Sequence, residues 1–480
     1  MDNKSELDGN ALLDEGHGYS LAKTISFGSM WFTDVTILSF FGVVLFYFYE
    51  VEVGLNVAWV ALAFVIFAIW NMINDPFIGY LTEKPRSEKL VMKYGFRTPM
   101  IIIGDILMII CFFLVFIPPN GSGGTNQVLI FIYMVIMICL LDTCYTVYNS
   151  HMAAGTVNMF RTDDERRKVG AIAITFTMLG LLVINAVILP NFIVYGDRNS
   201  FVLAAGLASI IMVINIFVYS YGVREPKKVK EYYLKGRDKE KGEEVPFLKV
   251  IKTAMRGKNF KIFIIAYLCY ATAYNLFFAS QVYFYKDVLK IDFGYFAFAF
   301  LALFVGFFVG LPFWLKVAKK YGASNIYGLG YILFGILFFS FLWISSIEEL
   351  IVTMFIGGFI WGASNAILIW VQSDIFDEVT TKLGVHQEAT LQGITNFFIR
   401  LAYLFIGVII ATVHILTNYN PDPAATQSAL AILGIRIHSG VIPGIILIIG
   451  GISFLLIYDL KDEKKLKMKE QLKKLMEGKV

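Results

Sequence analysis

The sequence predicts an all-α membrane protein with twelve transmembrane helices in two six-helix bundles. Three observations lead there. The 480 residues are 57% hydrophobic and only 16% charged, with a mean hydropathy of +0.67, whereas soluble globular chains carry about 25% charged residues. Apolar runs of the ~20 residues that a helix needs to cross a bilayer occur near 25–48, 57–80, 99–118, 128–150, 169–192, 200–222, 260–286, 293–316, 325–345, 350–372, 391–416 and 437–458. Between the sixth and seventh runs lies a segment, 223–259, with twelve Lys and Arg against six acids, and it divides the runs six and six.

Residues 1–22 are polar and acid-rich and lack the basic-then-apolar order of a signal peptide, so they read as a disordered cytoplasmic tail. The first bundle follows over 23–222. Lys and Arg in the connections set the orientation. Lys84, Arg86, Lys89, Lys93 and Arg97 follow span 2; Arg161, Arg166, Arg167 and Lys168 follow span 4; Lys316, Lys319 and Lys320 follow span 8. The alternate connections are poor in basic residues: Glu50 and Glu52, then an uncharged 118–127, then Glu348 and Glu349. Both termini are therefore expected in the cytoplasm. Loop 373–390, with Lys382 and several acids, is the weakest point of the alternation.

The segment 223–259 reads as a solvated cytoplasmic linker held near anionic lipid. The second bundle spans 260–458, and a basic cytoplasmic tail covers 459–480. In that tail Met468, Leu472, Leu475 and Met476 fall on one helical face. This suits an amphipathic helix at the membrane surface or a plain cytoplasmic helix. Cys111, Cys139, Cys144 and Cys269 all lie in apolar runs, with no CxxC or Cys/His cluster, which speaks against a disulfide framework or a zinc site. Without a Walker loop, HExxH or GxSxG, neither an enzyme nor an ATP-driven pump is expected. No cofactor is expected beyond Na+ or H+ as a coupling ion. The expected partners are a small-molecule solute and the lipid bilayer, not nucleic acid, around a monomer that crosses the cell membrane many times.

A weak internal repeat supports two equivalent halves. Asp75-Pro76-Phe77 and Lys93-Tyr94-Gly95 flank the connection after span 2; Leu311-Pro312-Phe313 and Lys320-Tyr321-Gly322 end span 8. Charged clusters also follow span 4 (Asp163 to Arg167) and span 10 (Asp374 to Glu378). Parallel six-span halves with a site near the midplane are the layout of major facilitator carriers.

Polar groups inside the spans carry the functional reading. Asn71, Asn74 and Asp75 are spaced i, i+3, i+4 and share one face of span 2. An acid within an apolar helix is costly and marks an ion or substrate path. Carboxylate and amide oxygens together suit a hard cation, and a desolvated carboxylate can carry a proton; the spacing leaves both open. Asp34 sits roughly 14 Å into span 1 and Asp142 roughly 21 Å into span 4, at 1.5 Å per residue. Arg400, ten residues into span 11, needs acceptors for its guanidinium. Asp105 in span 3 reads as structural, and His151, His414 and His438 as interfacial.

Three stretches resemble the glycoside–pentoside–hexuronide:cation symporters, the melibiose carrier family of the major facilitator superfamily. They are Trp70 to Leu81, Gly95-Phe96-Arg97-Thr98-Pro99, and Ser373 to Asp377 continued by Gly384 to Phe398. The resemblance implies a cation site at Asp75, Asn74 and Asn71, where Asn71 stands for that family's second acid and Cys139 for a span 4 threonine. It implies a solute site at Asp34 and Asp142, with Arg400 in place of a lysine; Asn396 and Tyr145 are further solute-facing candidates. Ile174 stands where the family has an arginine, and Thr146 where it has a tryptophan. A cytoplasmic gate is implied at Arg166, Asp374, Asp377 and Glu388. The expected function is cation-coupled symport of a sugar or glycoside by alternating access. The alternatives are a lysolipid carrier of the same ancestry and a non-transporting membrane sensor or scaffold.

Overall fold

A computed structural model describes residues 18–82, 87–119, 126–236, 247–384 and 388–476, which are helical and contain no strand. Most of the 1–22 tail, Lys84, Arg86, the centre of the basic linker and residues 477–480 lie outside the described residues. Among the described residues, twelve helices are long and apolar enough to cross a membrane: α1 (Leu21–Glu52), α2 (Val57–Gly79), α3 (Thr98–Val115), α4 (Gln127–Met159), α5 (Asp164–Phe192), α6 (Arg198–Tyr219), α7 (Lys258–Leu289), α8 (Phe293–Tyr321), α9 (Ala323–Leu342), α10 (Ile347–Leu383), α11 (Thr390–Thr417) and α12 (Ala429–Ile457). Beyond the spans, helix α13 (Asp462–Met476) forms the tail.

Hydropathy locates the spans well and their ends less well. Helix α10 runs through Ser373–Leu383, which the sequence reading assigned to a loop. Nothing in that stretch breaks a helix, and the chain stops only at Gly384, whose φ of +76 is the left-handed C-cap that glycine adopts without strain. Polar residues simply continue the helix beyond its apolar part. Helix α12 begins at Ala429 rather than near 437, because the Ser428 hydroxyl caps it by accepting from Ala431 N. Among the described residues, π-helical turns occur at Phe48–Glu52, Val183–Ile188, Phe284–Leu289 and Ile437–Val441.

The chain forms two compact units. The first comprises the described residues of 1–41 and 69–242, and the second those of 42–68 and 243–480. In the first unit α1 is held by polar bonds to its neighbours. The Tyr148 hydroxyl on α4 donates to Met30 O at 2.7 Å, and the Asn215 amide on α6 donates to Ser29 O and Thr33 Oγ1 at 2.8 and 2.9 Å. Asp105, expected to be structural, is fully buried and accepts from the Tyr219 hydroxyl at 2.5 Å. Just beyond α6, Glu225 accepts from Phe96 N and Arg97 N at 2.5 and 3.1 Å. Burial pushes the Glu225 carboxyl up, against the pull of those two amides.

In the second unit α8 and α10 meet through glycines. A Cβ added at Gly306 would lie 2.0 Å from Phe355 O, and one at Gly358 would lie 1.9 Å from Leu303 O. Gly306/Gly310 and Gly358/Gly362 form small-xxx-small pairs, which let helix backbones approach closely inside a bilayer. The parts of α1 and α2 that belong to this unit meet α11, where Phe64 and Ala61 line Gly407 and Phe67 meets the Tyr403 ring edge-on at 5.3 Å.

The tail helix α13 packs on α10. Met468 is buried, and Lys465 pairs with Asp374. The side chains of Leu475 and Met476 lie outside those described. At its start Asp459 bonds Lys258, Lys464 and Asn259. Partial burial pushes its carboxyl up, but these three donors outweigh that and hold it well below the usual range. This contribution to stability is therefore present above the ordinary carboxylate range and lost as the pH falls below it. The Lys465→Glu variant should lower stability by about 1 kcal/mol, at the upper end for a partly exposed ion pair. A thermal melt of the purified protein measures this; a melt equal to the parent's would show that the pair contributes nothing.

Candidate functional site

Helix α4 carries the centre of the site. Asp142, Tyr145, Thr146 and Asn149 are spaced i, i+3, i+4, i+7 and so lie along one stripe. Asp142 and Thr146 meet α2, while Tyr145 and Asn149 meet α1.

Toward α2, the amides of Asn71 and Asn74 donate to the two oxygens of Asp142 at 2.7 and 3.1 Å. Asn74 also donates to Thr146 Oγ1 at 3.1 Å, and that hydroxyl donates to Asp75 Oδ1 at 2.7 Å. Thr143 donates to Asn74 Oδ1 at 3.1 Å, and the Trp70 indole donates to Thr143 at 3.2 Å. Asn71, Asn74, Asp142 and Thr146 are all buried, and Asp75 is half-buried. Two acids are thus joined through amides and a hydroxyl within one small cluster.

Toward α1, Asp34 Oδ1 accepts from the Tyr145 hydroxyl at 2.9 Å and from the Asn149 amide at 2.8 Å. All three are half-buried. The structure therefore brings Asn71, Asn74 and Asp75 together as their helical spacing implied. Asp142, grouped with Asp34 on the resemblance, is bonded to the amides of this α2 cluster.

The remaining candidates lie in other surroundings. Arg400 is half-buried at the point where α11 is interrupted between Glu388–Ile399 and Leu401–Thr417. Asn396 is exposed and accepts from Gln392 at 2.9 Å. On the first unit, Arg166 is exposed and its Nε donates to Phe160 O at 3.0 Å. On the second, Asp374 is buried against Lys465 and Asp377 is half-buried. Glu388 opens its helix segment, and its side chain lies outside those described.

All three histidines read as interfacial are instead buried. His151 sits 3.3 Å from the Arg97 guanidinium. His414 and His438 face each other at 3.2 Å, and His414 lies 2.8 Å from the carboxylate of Glu50, itself only 2% exposed. Glu50 counted in the sequence only as a loop acid. It belongs to α1 because the helix continues through a π turn to Glu52.

Comparison with known proteins agrees with this architecture. The sequence matches the family described as MFS/sugar transport protein over residues 26–462. The chain belongs to the MFS/sugar transport protein family. It is 23% identical over 423 residues to the uncharacterized symporter YjmB of Bacillus subtilis, covering 87% of each chain. It is also 23% identical to the mouse sodium-dependent lysophosphatidylcholine symporter 1, over 43% of this chain and 42% of that one. The match thus spans less than half of the mouse protein. The fold is that of the nucleoside transporter NupG, with a TM-score of 0.61 at 12% identity over 92% of this chain and all of that one. The protein is therefore a multi-pass membrane transporter.

This MFS/sugar transport chain also holds an aromatic face that the sequence reading did not single out. On α7, Tyr270 stacks on Tyr331 at 5.3 Å, and Tyr274 stacks on Trp361 at 5.8 Å. The Tyr270 hydroxyl accepts from Trp361 Nε1 at 2.6 Å and from the Asn365 amide at 3.4 Å. Tyr267, Tyr270 and Tyr274 recur at helical spacing, which was the available signal.

Proposed function

We propose that the protein is a cation-coupled symporter that carries a polar, glycoside-like solute across the cell membrane by alternating access, with both termini cytoplasmic. One observation carries this reading: Asp142 and Asp75 share a buried cluster with two asparagine amides and a threonine hydroxyl. That is an oxygen-rich donor set of the kind a hard monovalent cation or a proton uses. The amides now turn their NH2 groups to Asp142, so a metal cation would require them to rotate and offer oxygen. Asp34, with Tyr145 and Asn149, would meet solute hydroxyls. Arg166, Asp374, Asp377 and Glu388 would serve as the charges of a cytoplasmic gate.

The test is uptake of labelled melibiose into proteoliposomes under an imposed sodium or proton gradient. Asp75→Asn is expected to abolish the stimulation by the coupling ion's gradient. Parent-like stimulation in that variant would remove Asp75 from the coupling site. A second reading, transport of a lysolipid, is favoured by the mouse lysophosphatidylcholine symporter among the relatives. Labelled lysophosphatidylcholine in the same vesicles separates the two, since only one of the solutes should accumulate.

A further inference from the structure

A second set of buried ionisable groups lies within the second unit, apart from the Asp142 cluster. It begins at Ser280 on α7, whose hydroxyl is 2.7 Å from His438 Nδ1 on α12. His438 Nε2 is 3.2 Å from His414 Nε2 on α11, and His414 Nδ1 is 2.8 and 3.1 Å from the two oxygens of Glu50 on α1. The Tyr283 hydroxyl donates to Glu50 at 2.5 Å. Glu50, His414, His438 and Ser280 are 2%, 2%, 0% and 0% exposed. Glu50 and His438 each sit in a π-helical turn, a feature frequent at functional sites.

Counting protons along this chain gives two arrangements. The Ser280 hydroxyl also lies 2.7 Å from Leu276 O, a distance that calls for a proton between them. If Ser280 donates there, His438 Nδ1–H must donate to Ser280. His438 Nε2 is then a bare acceptor, and His414 must donate to it through Nε2–H. His414 Nδ1 now faces the Glu50 carboxyl, and an additional proton must lie between them, on one or the other. In the second arrangement Ser280 donates to His438, His438 donates to His414 and His414 donates to Glu50. Every bond of the chain is reversed and one proton fewer is held.

We propose that Glu50, His414 and His438 form a proton-binding site that takes one proton from the aqueous phase on the Glu50 side of the membrane, and that its occupancy holds the neighbouring ends of α1 and α2 against α7 and α11. The loaded form is the one in which Ser280 donates to Leu276 O, the arrangement that their 2.7 Å separation favours. Loaded, the chain is neutral as a whole. Unloaded, it carries a net negative charge among buried groups, a state that favours opening to water. The other polar and charged groups facing it do not cancel that charge. Tyr47, Tyr283 and Tyr419 are neutral phenols, and Lys286 is taken up by Asp287, 3.6 Å away, which also accepts from Tyr419. The inference deepens the symport reading by naming a proton as a bound ion, and rests on that reading for its role in transport.

The experiment is hydrogen–deuterium exchange of the full chain in lipid nanodiscs, without solute, between pH 5.5 and 8.5 and corrected for intrinsic exchange rates. It follows peptides covering residues 53–59, where α1 connects to α2. Parent protein should be protected at low pH and open about ten-fold more per pH unit above a midpoint, the slope of a one-proton site. Glu50→Gln, whose amide can donate to His414 as the protonated acid does, should stay protected at every pH. If that variant fails to fold, Tyr283→Phe serves: losing a donor to the carboxylate should move the midpoint upward. A flat parent profile, a Glu50→Gln profile that follows the parent's, or an unmoved midpoint in Tyr283→Phe would each overturn the proposal. Because no solute is present, these outcomes are independent of whether the symport assignment holds.

Discussion

Gly358→Ala should leave little stable protein. A methyl at that position would lie 1.9 Å from Leu303 O, 2.7 Å from Leu303 C and 2.9 Å from Phe307 N. These are backbone atoms of α8 inside a regular helix, so no side chain can swing away. The two helices must separate, and that would also stretch the bond from Trp314 Nε1 to Phe359 O, now 2.8 Å. Gly310, whose added Cβ would be 2.4 Å from Phe359 O, belongs to the same contact. In a bilayer, close packing of this sort supplies much of the attraction between helices, because lipid offers no hydrophobic drive to associate. The expected cost is about 3 kcal/mol, the upper range for overpacking a tight site. Gly170→Ala is the control, since a methyl there meets nothing within 4 Å. Thermal melts of the two variants in detergent decide the matter: a Gly358→Ala melt as high as that of the control would refute the close approach.

Asp142→Asn should abolish ion-driven uptake while the protein still folds. Asp142 is buried and accepts from two amides, Asn71 and Asn74. An asparagine there keeps the shape but loses the charge, and it can present only one oxygen to two donors. Removing one charge from a buried cation site costs roughly 3 kcal/mol, a drop of about a hundred-fold in ion affinity. Asp34→Asn should behave differently, raising the solute concentration needed for half-maximal uptake while keeping the ion dependence. Uptake at varied ion and solute concentrations distinguishes the two acids. If Asp142→Asn retains the parent's ion dependence, the cluster around Asp142 is not where the ion binds.

The membrane character and the helices were legible because each depends on residues close together in the chain. The faces of α2 and α4 were legible for the same reason: Asn71, Asn74 and Asp75 share a stripe, as do Asp142, Tyr145, Thr146 and Asn149. Partnerships across helices were not legible. Asp142 meets Asn71 and Asn74 from 71 and 68 positions away. Resemblance grouped Asp142 with Asp34, yet the stripe of α4 is wide enough to serve two helices, and the two acids face different neighbours. The histidines were misread because position near the end of an apolar run says nothing about which helix covers that end.

The sequence by itself determined that the chain crosses a bilayer twelve times and carries acids within the apolar spans, since hydropathy, helix length and i, i+4 spacing are local properties. Only the tertiary structure decided which acid meets which donor. Glu50 and His414, 364 positions apart, are brought to 2.8 Å by the packing of helices within the second unit. The free energy of that packing is spread over many small contacts, none of which leaves a mark beside either residue.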